Sequence, residues 1–110
     1  MSHKLFICET CLDAQGQTPG PDMADAVRAA LQVDIEVMLT PCMNLCEEPV
    51  SLAFRAPGKM AYLFSGTNPK DVNDITAMAR LFVEAEGGVI DDARPAGRLR
   101  FCLKGRIPAE

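Results

Sequence analysis

The sequence predicts an α/β fold, a mixed sheet of four to five strands with two helices. Three observations lead there. Short runs of apolar residues alternate at strand spacing, two longer stretches repeat at helical spacing, and the elements follow the order strand, helix, strand, strand, strand, helix. A strand–helix–strand opening favours a parallel pair, and a later strand–turn–strand adds an antiparallel hairpin.

The first strand is "HKLFIC", an apolar run ending at Cys8. Gly16, Pro19, Gly20 and Pro21 make the next stretch a loop. Asp22 is expected to cap the helix "DMADAVRAALQV", with Asp25 in its first turn and Ala26, Val27, Ala30 and Leu31 on its apolar side. In "VDIEVMLT" the residues Val33, Ile35, Val37 and Leu39 alternate with Asp34, Glu36 and Met38, which reads as a half-buried second strand ending at Pro41. "PVSLAFRA" and "MAYLFSG" flank the turn "APGK" and form the hairpin. The second helix lies within "TNPKDVNDITAMARLFVEAEGG". Thr67 or Asn68 caps it, Pro69 takes its first position, Asp71 lies in its first turn, and Val72, Ile75, Met78, Ala79 and Phe82 line one side. Gly87 and Gly88 are expected to stop it. This is the thioredoxin-like order of elements. Residues 1–87 read as that domain and 88–110 as a C-terminal extension packed on it.

With 110 residues the chain suits one compact core. Its net charge of −4, the lack of tryptophan and the single tyrosine argue against nucleic acid as a partner. No apolar stretch at the N-terminus is long enough for a signal peptide or membrane span, so a cytoplasmic location without membrane association is expected. Charge is uneven. Residues 1–87 hold six Lys/Arg and twelve Asp/Glu, net −6, whereas 88–110 hold five Lys/Arg and three Asp/Glu, net +2. The basic residues Arg94, Arg98, Arg100, Lys104 and Arg106 suit a tail that folds back on an acidic body.

Five cysteines are too few for a disulfide scaffold, and in a reducing compartment thiols persist as catalysts or metal ligands. Cys8 and Cys11 form C-x-x-C, and Cys42 and Cys46 form C-x-x-x-C. Both pairs follow strand ends. If those strands are parallel neighbours, the pairs meet at the carboxyl edge of the sheet, where open α/β folds place their sites. Four thiolates suit one tetrahedral zinc or the two irons of a [2Fe-2S] cluster, and spacing alone leaves both open. A dithiol redox pair using Cys8 and Cys11 leaves Cys42 and Cys46 idle, and the loop after Cys11 delays any helix whose dipole could activate a thiol. Buried free cysteines are also ordinary core residues, but that reading leaves the paired spacing a coincidence.

"CETC", "PCMNLCEEPVSLAF" and "GKMAYLFSGTNP" resemble short bacterial metal-binding proteins of unknown function grouped with the thioredoxin-like [2Fe-2S] ferredoxins, over roughly residues 3 to 107. The resemblance implies that Cys8, Cys11, Cys42 and Cys46 hold a [2Fe-2S] cluster. It also implies that the chain is a one-electron carrier rather than an enzyme, serves a redox partner protein, and forms a homodimer. The early pair is closer together than in most of those ferredoxins, and zinc stays the alternative. A site held between loops is expected near the surface, with Glu9, Asp13, Glu47 and Glu48 as an acidic rim. Cys102 reads as a residue of a short C-terminal strand, His3 as solvated, and Met38, Met60 and Met78 as core.

Overall fold

The first apolar run becomes β1 (Lys4–Cys8), followed by α1 (Gly20–Ala30), β2 (Glu36–Thr40), β3 (Leu52–Arg55), β4 (Ala61–Phe64), α2 (Val72–Glu84) and β5 (Leu103–Ile107). This is a computed structural model, and it describes residues 3–41, 50–90 and 92–108. The strands form one sheet in the order β2-β1-β3-β4-β5. β1 runs parallel to β2, and the other neighbours are antiparallel. The mixed five-stranded sheet with its two helices is the expected thioredoxin-like arrangement.

Alternation decides which side of the sheet the helices cover. Leu5 and Ile7 of β1, Val37 of β2, Leu52 and Phe54 of β3, and Tyr62 and Phe64 of β4 are all buried. Met23, Ala24 and Val27 of α1 and Ile75, Met78, Ala79 and Phe82 of α2 join them in one core. Phe54 meets Phe64 edge-on at 5.9 Å between ring centres, and Tyr62 meets Phe82 edge-on at 6.1 Å. Each such buried ring contributes on the order of 2–3 kcal/mol. Phe6, Met38, Ala53 and Leu63 alternate with these residues on the other side of the sheet and are only half-buried.

α1 begins at Gly20, two residues before the expected cap Asp22, which lies in the first turn instead. Prolines are well tolerated there, because the first helical N–H groups have no partner within the helix. The buried side is Gly20, Met23, Ala24 and Val27, while Ala26 and Ala30 are exposed. The close approach of helix to strand explains Gly20: a Cβ at this position would collide with the Cys8 carbonyl oxygen.

The second helix starts as read. Asn68 Oδ1 accepts from the Lys70 N–H at 2.8 Å and Asp71 Oδ2 from the Asn68 N–H at 2.9 Å, a reciprocal capping box. A 3₁₀ turn over Pro69–Asp71 leads into α2, which ends at Glu84, short of the glycines. Lys59 caps that end, donating to the carbonyls of Phe82 and Val83 at 2.9 and 3.0 Å.

Two other expectations need correction. His3 is buried, not solvated: it lies edge-on to Phe82 at 5.9 Å, and among the described residues its Nε2 has no hydrogen-bond partner. Burial, then the Lys59 charge, lowers its pKa. Cys102 closes a 3₁₀ segment, Arg94–Cys102, rather than lying within β5. The basic tail does return to the body. Arg98 pairs with the buried Asp71 at 3.0 Å, donates to the Gly66 carbonyl at 2.9 Å and to the Cys102 sulfur at 3.1 Å, and its backbone N–H reaches Asp74 at 3.1 Å. No helix among the described residues is long and apolar enough to cross a membrane.

Gly20→Ala should cost about 1–3 kcal/mol, because the new methyl group meets backbone rather than a side chain that can rotate away. Asp71→Ala should cost about 2 kcal/mol through loss of the capping box and of the Arg98 contact. Urea unfolding midpoints check both.

Candidate metal centre

Strand order sets the geometry of the cysteine site. β1 lies between a parallel and an antiparallel neighbour, so the connection from β2 to β3 starts and ends on either side of the carboxyl end of β1. Two backbone hydrogen bonds close that end. The Glu9 N–H donates to the Thr40 carbonyl at 2.8 Å, and the Cys8 N–H donates to the Ser51 carbonyl at 3.0 Å. Cys8 therefore sits between the last residue of β2 and the residue that leads into β3. Cys42, Cys46, Glu47 and Glu48 belong to that connection and lie outside the described residues.

The cysteines Cys8 and Cys11 are 0% and 1% exposed. Loop residues 12–19 then carry the chain to α1. Asp13 stabilises this loop, with Oδ1 accepting from the N–H groups of Gln15 and Gln17, both at 2.9 Å. The carboxylate expected at an acidic rim is thus engaged in local turn structure. The loop delays the helix in sequence but not in space, since the start of α1 at Gly20 packs against the Cys8 carbonyl. Both thiols are buried rather than at the surface. Exposure is left to neighbours such as Leu12, 59% exposed.

Each thiol of the C-x-x-C has a hydroxyl beside it. Thr10 Oγ1 lies 3.5 Å from Cys8 Sγ, and Ser51 Oγ lies 3.7 Å from Cys11 Sγ. Burial pushes the Cys8 thiol up, but hydrogen bonds from the Cys11 side chain, from the Thr10 hydroxyl and from the backbone at Thr10 and Cys11 outweigh it, leaving a pKa of about 7. Among the described residues no three His, Cys, Asp or Glu side chains come together as a metal site. Cys102 has its own partners, Arg98 Nη1 at 3.1 Å and the Arg98 carbonyl, to which its thiol donates at 3.7 Å.

Sequence reasoning passed over Thr10 and Ser51. The available signal was Ser51 itself, a hydroxyl inside the apolar run "PVSLAF", fully buried in the fold.

The family described as "Protein of unknown function (DUF1636)" matches residues 5–109. The chain belongs to this family. Among solved structures, a cysteine-to-serine variant of the thioredoxin-like [2Fe-2S] ferredoxin from Aquifex aeolicus aligns with this DUF1636 chain at TM-score 0.52 and 16% identity, covering 82% of this chain and 98% of that one. That likeness is one of fold. The wild-type form of the same Aquifex aeolicus ferredoxin aligns at TM-score 0.48 and 20% identity, over 67% of this chain and 81% of that one. No curated protein matches the DUF1636 chain.

In metal-free protein, a titration followed by thiolate absorbance should show one thiol ionising near pH 7, and Cys8→Ser should remove that step. Because the folded pKa lies below the ordinary value of 9.0, this thiol contributes stability that grows as pH rises from about 7 towards 9 and is lost as pH falls. Unfolding midpoints across that window check the sign.

Proposed function

We propose that this DUF1636 chain binds a [2Fe-2S] cluster through Cys8, Cys11, Cys42 and Cys46 and serves as a ferredoxin-like one-electron carrier. One observation carries the reading. Cys8 is buried at the carboxyl end of β1, Cys11 is buried three residues further on, and the connection bearing the other two cysteines begins and ends beside Cys8. The donor set fits the group. Thiolate is the usual cluster ligand, and the pKa of about 7 at Cys8 already favours deprotonation. The thioredoxin-like fold is shared with a protein named as a [2Fe-2S] ferredoxin, which supports the same choice.

When bound, the cluster would supply a one-electron couple with every thiolate position filled. The chain's own residues hold and shield it. Cys8 and Cys11 are both buried, and the carbonyls of Ser51 and Thr40 fix the end of β1 that presents Cys8. Burial disfavours the dithiol-exchange alternative, because attack on a disulfide requires access to the sulfur. Zinc stays a second reading on one observation, the C-x-x-C of Cys8 and Cys11, which is a zinc-knuckle spacing. Glu9 remains available for salt-sensitive docking of a basic redox partner.

Anaerobically purified protein should be coloured, contain iron and sulfide, and give a [2Fe-2S]-type EPR signal on reduction. Serine at any of the four positions should lose or destabilise the cluster, and Cys102→Ser should not. Stoichiometric zinc without visible absorption, or full cofactor retention in a Cys42→Ser, Cys46→Ser double variant, would sink the assignment.

A further inference from the structure

We infer that Ser51 is a positioning residue that raises the reduction potential of the couple by donating its hydroxyl to the Cys11 sulfur. The inference rests on the cluster reading above. Ser51 holds both members of the C-x-x-C. Its carbonyl accepts the Cys8 N–H at 3.0 Å, and its Oγ lies 3.7 Å from Cys11 Sγ. It is 0% exposed, and the pairing of Ile7 with Leu52 next to it fixes its place in the sheet.

Between a hydroxyl and a protonated thiol, either group can donate. Once Cys11 binds iron its proton is gone, and only the O–H of Ser51 can donate. Reduction adds one electron and breaks no bond: [2Fe-2S]²⁺ becomes [2Fe-2S]⁺, and with four thiolates the total charge goes from −2 to −3. The added negative charge spreads onto the sulfurs, so a donor aimed at one of them stabilises the reduced form more than the oxidised form. Burial keeps water from replacing the hydroxyl and strengthens the interaction. Thr10 is the comparison. It makes a similar contact to Cys8 at 3.5 Å but is exposed, so water can replace part of it and its effect should be smaller.

The test is an anaerobic redox titration of the holoprotein, with dithionite as electron donor and the EPR signal as readout. Ser51→Ala and Ser51→Gly both remove the hydroxyl and should lower the equilibrium constant for reduction by roughly threefold to tenfold, tenfold being about 59 mV for one electron. Ser51→Thr should keep the wild-type potential, and Thr10→Val should shift it by less than Ser51→Ala does. An unshifted potential in the hydroxyl-free variants with an intact EPR signal overturns the role of Ser51, as does an equal shift in Thr10→Val. A wild-type protein with no iron–sulfur signal overturns the cluster reading instead.

Discussion

The two hydrogen bonds that close the carboxyl end of β1 hold the structure's most consequential junction. Glu9 to Thr40 fixes the parallel neighbour, and Cys8 to Ser51 fixes the antiparallel one. A strand with different polarity on its two sides can be joined to them only by a connection that passes from one side to the other at that end. Strand order thus brings both ends of the connection that carries Cys42 and Cys46 to the carboxyl end of β1, where Cys8 lies. The same junction receives the start of α1, where only glycine avoids the Cys8 carbonyl. Strand pairing, helix docking and thiol burial all converge on one residue.

Much of this was legible before the structure. Period-two alternation located the strands because each buries one side against helices, and a cap at Thr67 or Asn68 followed by Pro69 and Asp71 announced α2. What failed, failed for physical reasons. Alanine is favourable anywhere on a helix, so Ala26 and Ala30 could not tell which side of α1 faces the sheet; Met23 and Val27 do that by size. The run of glycine and proline before Asp22 read as loop throughout, although proline is at ease in a first helical turn. His3 is buried by Phe82, a residue from the far end of α2, and no local pattern reports such a contact. At the site, residue type and spacing pointed to the cysteines, but the hydroxyls beside them depend on strand register and emerge only in three dimensions.

The burial of Cys8 and Cys11 changes how a redox group at this place would behave. A metal centre reached through loops is commonly pictured as open to solvent. Here the protein supplies dense packing and a fixed hydroxyl around these two sulfurs, while exposed surface such as Leu12 lies one residue away. Such an arrangement separates protection from contact: these two sulfurs are shielded from solvent, while the exposed side chain lies on the residue next to Cys11.

The return of the basic tail bears on how the chain could be shortened or fused. β5 covers the outer side of β4, and the Ser65 N–H is satisfied by the Cys102 carbonyl at 3.0 Å. A chain cut after α2 would keep most of its core residues and still leave β4 as a bare hydrogen-bonding edge, a template for joining another molecule. β5 therefore takes over the edge from the apolar β4 and places Lys104 and Arg106 on it, charges that discourage a further strand from adding, and the ion pair of Arg98 with Asp71 ties the segment before it to the start of α2.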